Sequence, residues 1–139
     1  MISIYLDDFR IPEEHPNNGV WEVVRNYDEF VERVERVGLE NIDIMSLDHD
    51  LDESSTQHYF NYVKEHYEID YSQIKEKTGL DVAKWLICHS IETSKHLPKC
   101  YIHSHNPIGS GKMLGYLNLY LKKCRRPENC EIRRWKYSR

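Results

Sequence analysis

Apolar positions fall into five short runs set apart by polar stretches and helical patterns. "ISIYL" at residues 2–6 is β-branched and aromatic, the composition of a buried strand. It meets Asp7 and Asp8, and then "FRIPEEHPNNG", where Pro12, Pro16 and Gly19 predict a loop. "VWEVVRN" predicts a second strand. "YDEFVERVERVG" is amphipathic, with Phe30, Val34 and Val37 on one face and Gly38 as its stop. "IDIMSL" at 42–47 predicts a third strand, ending in Asp48, His49 and Asp50.

The segment at about 52–77 is polar and tyrosine-rich, with weak helical character around 59–67. It reads as an insertion, either a lid or a decoration without a role. In "TGLDVAKWLICHSIE", Thr78 with Asp81 three residues on forms a capping-box pattern for a helix through Glu92. "KCYIHSHN" predicts a fourth strand, with His103 and His105 on one face and Ser104 and Asn106 on the other. "GSGKMLGYLNLYLKKC" predicts a helix whose core stripe is Met113, Tyr116, Leu117, Tyr120, Leu121 and Cys124. "CEIRRWKY" predicts a final strand after the break at Pro127. Strands alternating with helices argue for an α/β fold: a three-layer, mainly parallel sheet of about five strands, within one domain over 1–139.

Composition narrows the partners. The chain has 139 residues and a formal net charge of −4, with both signs mixed along most of its length. Such a balance does not steer a protein to nucleic acid or to anionic lipid, so neither stable DNA binding nor a membrane role is expected. The basic stretch at 122–139 reads as an exposed edge strand. The first apolar run reaches acidic residues too soon for a secretory signal, which makes a cytoplasmic location the expectation. Cys88, Cys100, Cys124 and Cys130 lack C-x-x-C spacing and read as reduced thiols.

The candidate chemistry lies at strand ends. In a parallel sheet, ligands bind beyond the carboxyl ends of the strands. The first strand ends in Asp7-Asp8, the third in Asp48-His49-Asp50 and the fourth in His103-Ser104-His105-Asn106. Carboxylates brought together there repel, and a divalent cation relieves the repulsion. Oxygen ligands favour Mg²⁺, with Mn²⁺ or another transition metal permitted by the nearby imidazoles. "NPIGSGKM" is not a P-loop, because that pattern needs Gly at Asn106 and Ser or Thr at Met113. Its glycines serve either a tight turn or a helix N-terminus that attracts anions.

Four segments in order, "LDDFRIP", "SLDHDL", "TGLDVAKWL" and "IHSHNPIGSGKM", resemble the cyclic-phosphate-processing receiver-like domains, relatives of the response-regulator receiver fold. They span Leu6 to Met113. The resemblance implies a receiver/flavodoxin-like sheet with the first helix replaced by the Pro-rich loop. It implies that Asp7 and Asp8 are the metal-binding pair, that Asp48 stands at the phosphoacceptor position, and that Ser104 orients the phosphoryl group. The receiver lysine has only Lys136 as a candidate, without a following proline.

The leading expectation is metal-dependent hydrolysis or transfer at a cyclic phosphate or phosphodiester, on a small phosphate ester, a cyclic nucleotide or an RNA end. Asp7, Asp8, Asp48 and Asp50 are the metal candidates. Asp48, His49 and His103 are the catalytic candidates, the imidazoles as general base and acid. Arg10, Ser104, Asn106 and Gly109 are the phosphate-binding candidates. The alternative is a receiver-like signalling or nucleotide-binding module in which Asp48 accepts a phosphoryl group or binds ligand. A Toprim-like nuclease fits less well, since it needs a glutamate after its first strand, where this chain has Asp7 and Asp8.

Overall fold

A computed structural model describes residues 1–123 and the strand at 132–134; Lys136, Cys124, Cys130 and most of the basic C-terminal stretch lie outside the described residues. In chain order the elements are β1 (Ile2–Leu6), β2 (Trp21–Val24), α1 (Tyr27–Val37), β3 (Ile42–Leu47), α2 (Glu53–His58), a π-helical turn (Tyr59–Val63), α3 (Lys64–His66), α4 (Gly79–Thr93), β4 (Lys99–Ile102), α5 (Pro107–Lys123) and β5 (Ile132–Arg134). The five strands form one sheet in the order β2-β1-β3-β4-β5, with every pairing parallel. This is the doubly wound order of flavodoxin-like folds. No helix among the described residues is long and apolar enough to cross a membrane.

β3 lies in the middle of the sheet and is buried at every position but Asp43, as a strand with neighbours on both sides requires. Ile4, Leu6, Met45, Leu47, Cys100 and Ile102 alternate along their strands and share one face. Phe30 and Val34 of α1, Val82, Ala83 and Leu86 of α4, and Met113 and Leu117 of α5 join the same cluster. On the other face, Ser3, Tyr5, Ile44, Ser46 and Tyr101 are also buried. At its β1–β2 end the Pro-rich loop stands where the first helix would be. Its His15 bonds the Ser3 hydroxyl at 2.9 Å and packs its ring 4.7 Å from that of Trp21.

The helix boundaries follow their caps. Asn26 accepts the N–H of Glu29 at 2.9 Å and starts α1, and Gly38, at φ 88°, ends it with an N–H bond to the Val34 carbonyl. Thr78 and Asp81 form the reciprocal capping box that the sequence predicts for α4. α5 begins two residues earlier than "GSGKM" suggests. Pro107 is its first residue, where a missing N–H costs nothing, and Asn106 caps it through the N–H of Gly109 at 2.9 Å. Tyr116 of the expected core stripe stays 39% exposed.

The fourth strand is shorter than expected. β4 stops at Ile102, so the alternation expected for 103–106 does not apply: His103 and Asn106 are buried while His105 is exposed. The segment at 52–77 is mostly helical turns and buries Ser55, His58 and Val63.

One close approach joins α4 to the end of β3. The Gly79 N–H donates to the His49 carbonyl at 2.8 Å, and a Cβ on Gly79 would lie 2.1 Å from the Asp48 carbonyl oxygen. Gly79→Ala therefore forces the helix start away from the strand end, at a cost of about 1–3 kcal/mol. Gly115 lies in α5 with nothing within 4 Å of its added Cβ, and Gly115→Ala stabilises by about 0.5–1 kcal/mol through helix propensity. Urea unfolding of both variants checks the pair. Wild-type stability in Gly79→Ala contradicts the close packing.

Candidate functional site

Sheet register builds the site. Val24, Leu6, Leu47 and Ile102 pair side by side as the last rung of β2, β1, β3 and β4. The next residue on each strand is Arg25, Asp7, Asp48 and His103. Backbone bonds carry the ladder one step on: Asp7 N–H to the Val24 carbonyl (3.1 Å), Asp48 N–H to Leu6 (3.1 Å) and His103 N–H to Leu47 (3.0 Å). Parallel strands lie about 4.8 Å apart, so side chains on one rung are forced together. Carboxylate oxygens of Asp7 and Asp48 and a ring nitrogen of His103 lie within 4.8 Å of one another, all three residues buried.

Asp7 is completely buried and fully bonded. Its Oδ1 accepts the N–H groups of Phe9 (3.1 Å) and Arg10 (2.9 Å), and its Oδ2 accepts from Arg10 Nε (2.7 Å) and His103 Nε2 (3.1 Å). Arg10 also reaches Asp48 Oδ2 through Nη2 at 3.4 Å, so one guanidinium spans both carboxylates. Arg25 Nη1 donates to the backbone carbonyls of Asp7 (3.2 Å) and Arg10 (2.9 Å), which pins the turn. Burial pushes the Asp7 carboxyl up, but the hydrogen bonds from His103, Arg10 and Phe9 and the Arg10 charge outweigh it and hold it well below the ordinary range.

Asp48 is 3% exposed and has weaker support: the His49 N–H on Oδ1 at 2.8 Å and the long Arg10 contact. Burial first, and then the Asp7 charge, push its carboxyl up to about 8, with Arg10 opposing. Asp8 is half-buried and also raised, by burial and by Asp7. It lines a separate cavity of about 440 Å³ with Arg25, Tyr27, Asp28, Glu76 and Lys77.

Both candidate histidines have their ring nitrogens engaged. A carboxylate only accepts, so the neutral His103 ring donates Nε2–H to Asp7 and accepts from the Ser46 hydroxyl at Nδ1, 2.7 Å away. Tyr5 stacks on it at 4.2 Å, and burial lowers its pKa, with Asp7 opposing. His49, fully buried, bonds Asp50 Oδ1 through Nδ1 (2.7 Å) and the Tyr71 hydroxyl through Nε2 (2.9 Å). Asp50 also accepts from Ser55 Oγ (2.7 Å) and Asn106 Nδ2 (3.4 Å). This second cluster ties the 52–77 segment, through Ser55 and Tyr71, to the strand end.

The structure thus brings together Asp7, Asp48, His103 and Arg10, and gathers His49, Asp50, Asn106 and Gly109 beside them. The phosphate-binding candidates at α5 are largely engaged with the protein itself. Asn106 caps the helix, and the Gly109 N–H donates to that cap. A Cβ on Gly109 would lie 2.5 Å from the His49 ring, so this glycine makes room for the imidazole. The Ser104 hydroxyl accepts the Asn106 N–H at 3.1 Å. Sequence reasoning missed Arg25, Ser46 and Tyr71. Arg25 was available from strand alignment, as the first charged residue after "VWEVV". Ser46 was available as a polar break in an apolar strand. Tyr71 carried no signal.

The Asp48 shift sets a pH dependence. Its folded-state pKa of about 8 lies above the ordinary 3.8, so the protonated form stabilises the fold. That stability is complete below 3.8 and is lost as pH rises toward 8. Asp7 acts oppositely, its contribution being lost only as pH falls below the ordinary carboxylate range. In chelator, wild-type melting temperature should fall between mildly acidic and mildly alkaline pH. Asp48→Asn should flatten that slope and melt roughly 3–8 °C higher at the alkaline end. Thermal melts across that range decide; equal slopes would show that Asp48 is not the strained carboxyl.

Among known proteins, the chain matches the family model described as the cyclic-phosphate processing receiver domain over residues 2–119. No curated protein and no solved structure matches it. The match covers all the described strands but the last, together with every site residue above, and the chain belongs to the family of cyclic-phosphate processing receiver domains.

Proposed function

We propose that the Asp7–Asp48 rung is a divalent-cation centre at which the domain hydrolyses or transfers a cyclic phosphate or related phosphodiester. One observation supports this above the others: two buried carboxylates share a rung, and one of them cannot ionise comfortably without more positive charge than Arg10 supplies. The donor set fits a hard cation such as Mg²⁺ or Mn²⁺. Asp7 and Asp48 would hold it in place of the Arg10 guanidinium that touches both carboxylates, and Asp8 and Asp50 add negative charge nearby. When bound, the ion supplies neutralisation of charge on phosphoryl oxygens.

The residues of the chain divide the remaining work. His103, donating to Asp7 and fixed by Ser46 and Tyr5, aims that carboxylate. His49 holds Asp50 and the insertion in the same manner. This reading revises the expected acid–base role of the two imidazoles, because both nitrogens of each ring already have partners. Arg10, once Asp48 has another counter-charge, becomes the guanidinium that receives a phosphate oxygen. In hydrolysis, water adds to phosphorus, one ring P–O bond breaks, and the proton lost by water ends on the departing hydroxyl.

The test is turnover of 2′,3′-cyclic AMP with Mg²⁺ and with chelator. Wild type should turn over many equivalents only with the metal. Asp48→Asn should lose roughly 10²-fold or more in kcat. His103→Gln should weaken Mg²⁺ roughly 10–100-fold by calorimetry while leaving the shape of the pH profile intact, as an aiming residue requires. Incorporation of one phosphoryl group per chain from a small phosphodonor, without turnover, would instead make the domain a signalling module with Asp48 as phosphoacceptor.

A further inference from the structure

The turn that carries Arg10 presents an aromatic ring to solvent. Phe9 is 73% exposed, although burying a phenylalanine side chain is worth about 1.5–3 kcal/mol. Its backbone is not loose. The Phe9 and Arg10 N–H groups both bond Asp7 Oδ1, and Arg25 clamps the carbonyls on either side. The ring is therefore held outward on a fixed base. The carbon of the Arg10 guanidinium lies 5.9 Å from the ring centroid, and that same guanidinium touches both site carboxylates. Ile11, 74% exposed, extends the apolar rim along the loop.

We propose that Phe9 is a stacking platform for the nucleobase of a phosphate ester held at Arg10 and the Asp7–Asp48 centre, which makes the ligand class a nucleotide and not a base-free phosphate. The proposal rests on the cyclic-phosphate reading for where the phosphate lies. Three features join here. A flat aromatic face stacks any base with little sequence preference. Its neighbour Arg10 is a cation able to take the phosphate end of the same molecule. The net charge of −4 does not favour a long polyanion, which needs many phosphate contacts, and so points to a single nucleotide unit.

The experiment compares kcat/KM on 2′,3′-cyclic AMP and on propane-1,2-diol cyclic phosphate, for wild type, Phe9→Ala and Phe9→Trp, with Mg²⁺. Wild type should prefer the nucleotide. Phe9→Ala should lower the nucleotide-to-diol ratio roughly 5-fold to 100-fold, mostly through KM, and Phe9→Trp should restore it. An unchanged ratio in Phe9→Ala with normal turnover overturns the platform and leaves the cyclic-phosphate reading intact. Calorimetry with adenosine 3′-monophosphate and inorganic phosphate covers the case in which neither ester is turned over. Tighter nucleotide binding that Phe9→Ala abolishes supports the platform and sinks the catalytic reading. Equal affinity for the two probes, or no binding of either, overturns the platform.

Discussion

Everything at this site depends on parallel register. Leu6, Leu47 and Ile102 pair across three strands, and each strand continues by one residue into Asp7, Asp48 and His103. Strand spacing does not allow these groups to stand apart, so the apolar ladder below them forces charge onto charge above it. The hydrophobic sequence pattern thus sets the electrostatics: shifting any one strand by a residue would send its acidic or imidazole group to the other face.

The protein answers that forced proximity unequally. Asp7 receives two backbone N–H groups, a guanidinium and an imidazole, and stays ionised. Asp48, almost as deeply buried, receives much less and is pushed toward the neutral form. The difference originates in the loop. Where a first helix would leave β1, the Pro-rich turn folds back instead, placing Arg10 between the carboxylates and turning Phe9 outward. The loop that stands in place of a helix is thus also the source of the counter-charge. The His49–Asp50–Tyr71 cluster fastens the 52–77 segment to the end of β3.

The parallel sheet and the main helices were legible because apolar runs and caps agree: Thr78 with Asp81 and Gly38 behave as their local chemistry requires. The strand order came only with the resemblance to receiver-like domains. The convergence of Asp7, Asp48 and His103 was legible for a similar reason, since strand ends in a parallel sheet share an edge. What the sequence hid was hydrogen-bond allocation. His103 looks like an available base until Ser46, 57 residues away, is seen at its other nitrogen. Gly109 looks like part of an anion loop until the His49 ring is found against it. Tyr71 lies in a segment with no periodic signal, and only tertiary packing brings it to His49. The end of β4 was misjudged because His103 to Asn106 continue an alternating pattern that the chain abandons at Ile102 to form the cap of α5.

Under the proposed function, Arg10 is the counter-charge that a bound cation would replace between Asp7 and Asp48. Crystals grown with saturating Mn²⁺, with anomalous diffraction measured at the manganese edge, test it most directly. The expected result is a manganese peak bound by Asp7 and Asp48, with the Arg10 guanidinium turned away from both carboxylates and His103 still hydrogen-bonded to Asp7. No peak at that rung, with Arg10 still spanning both carboxylates, would contradict it.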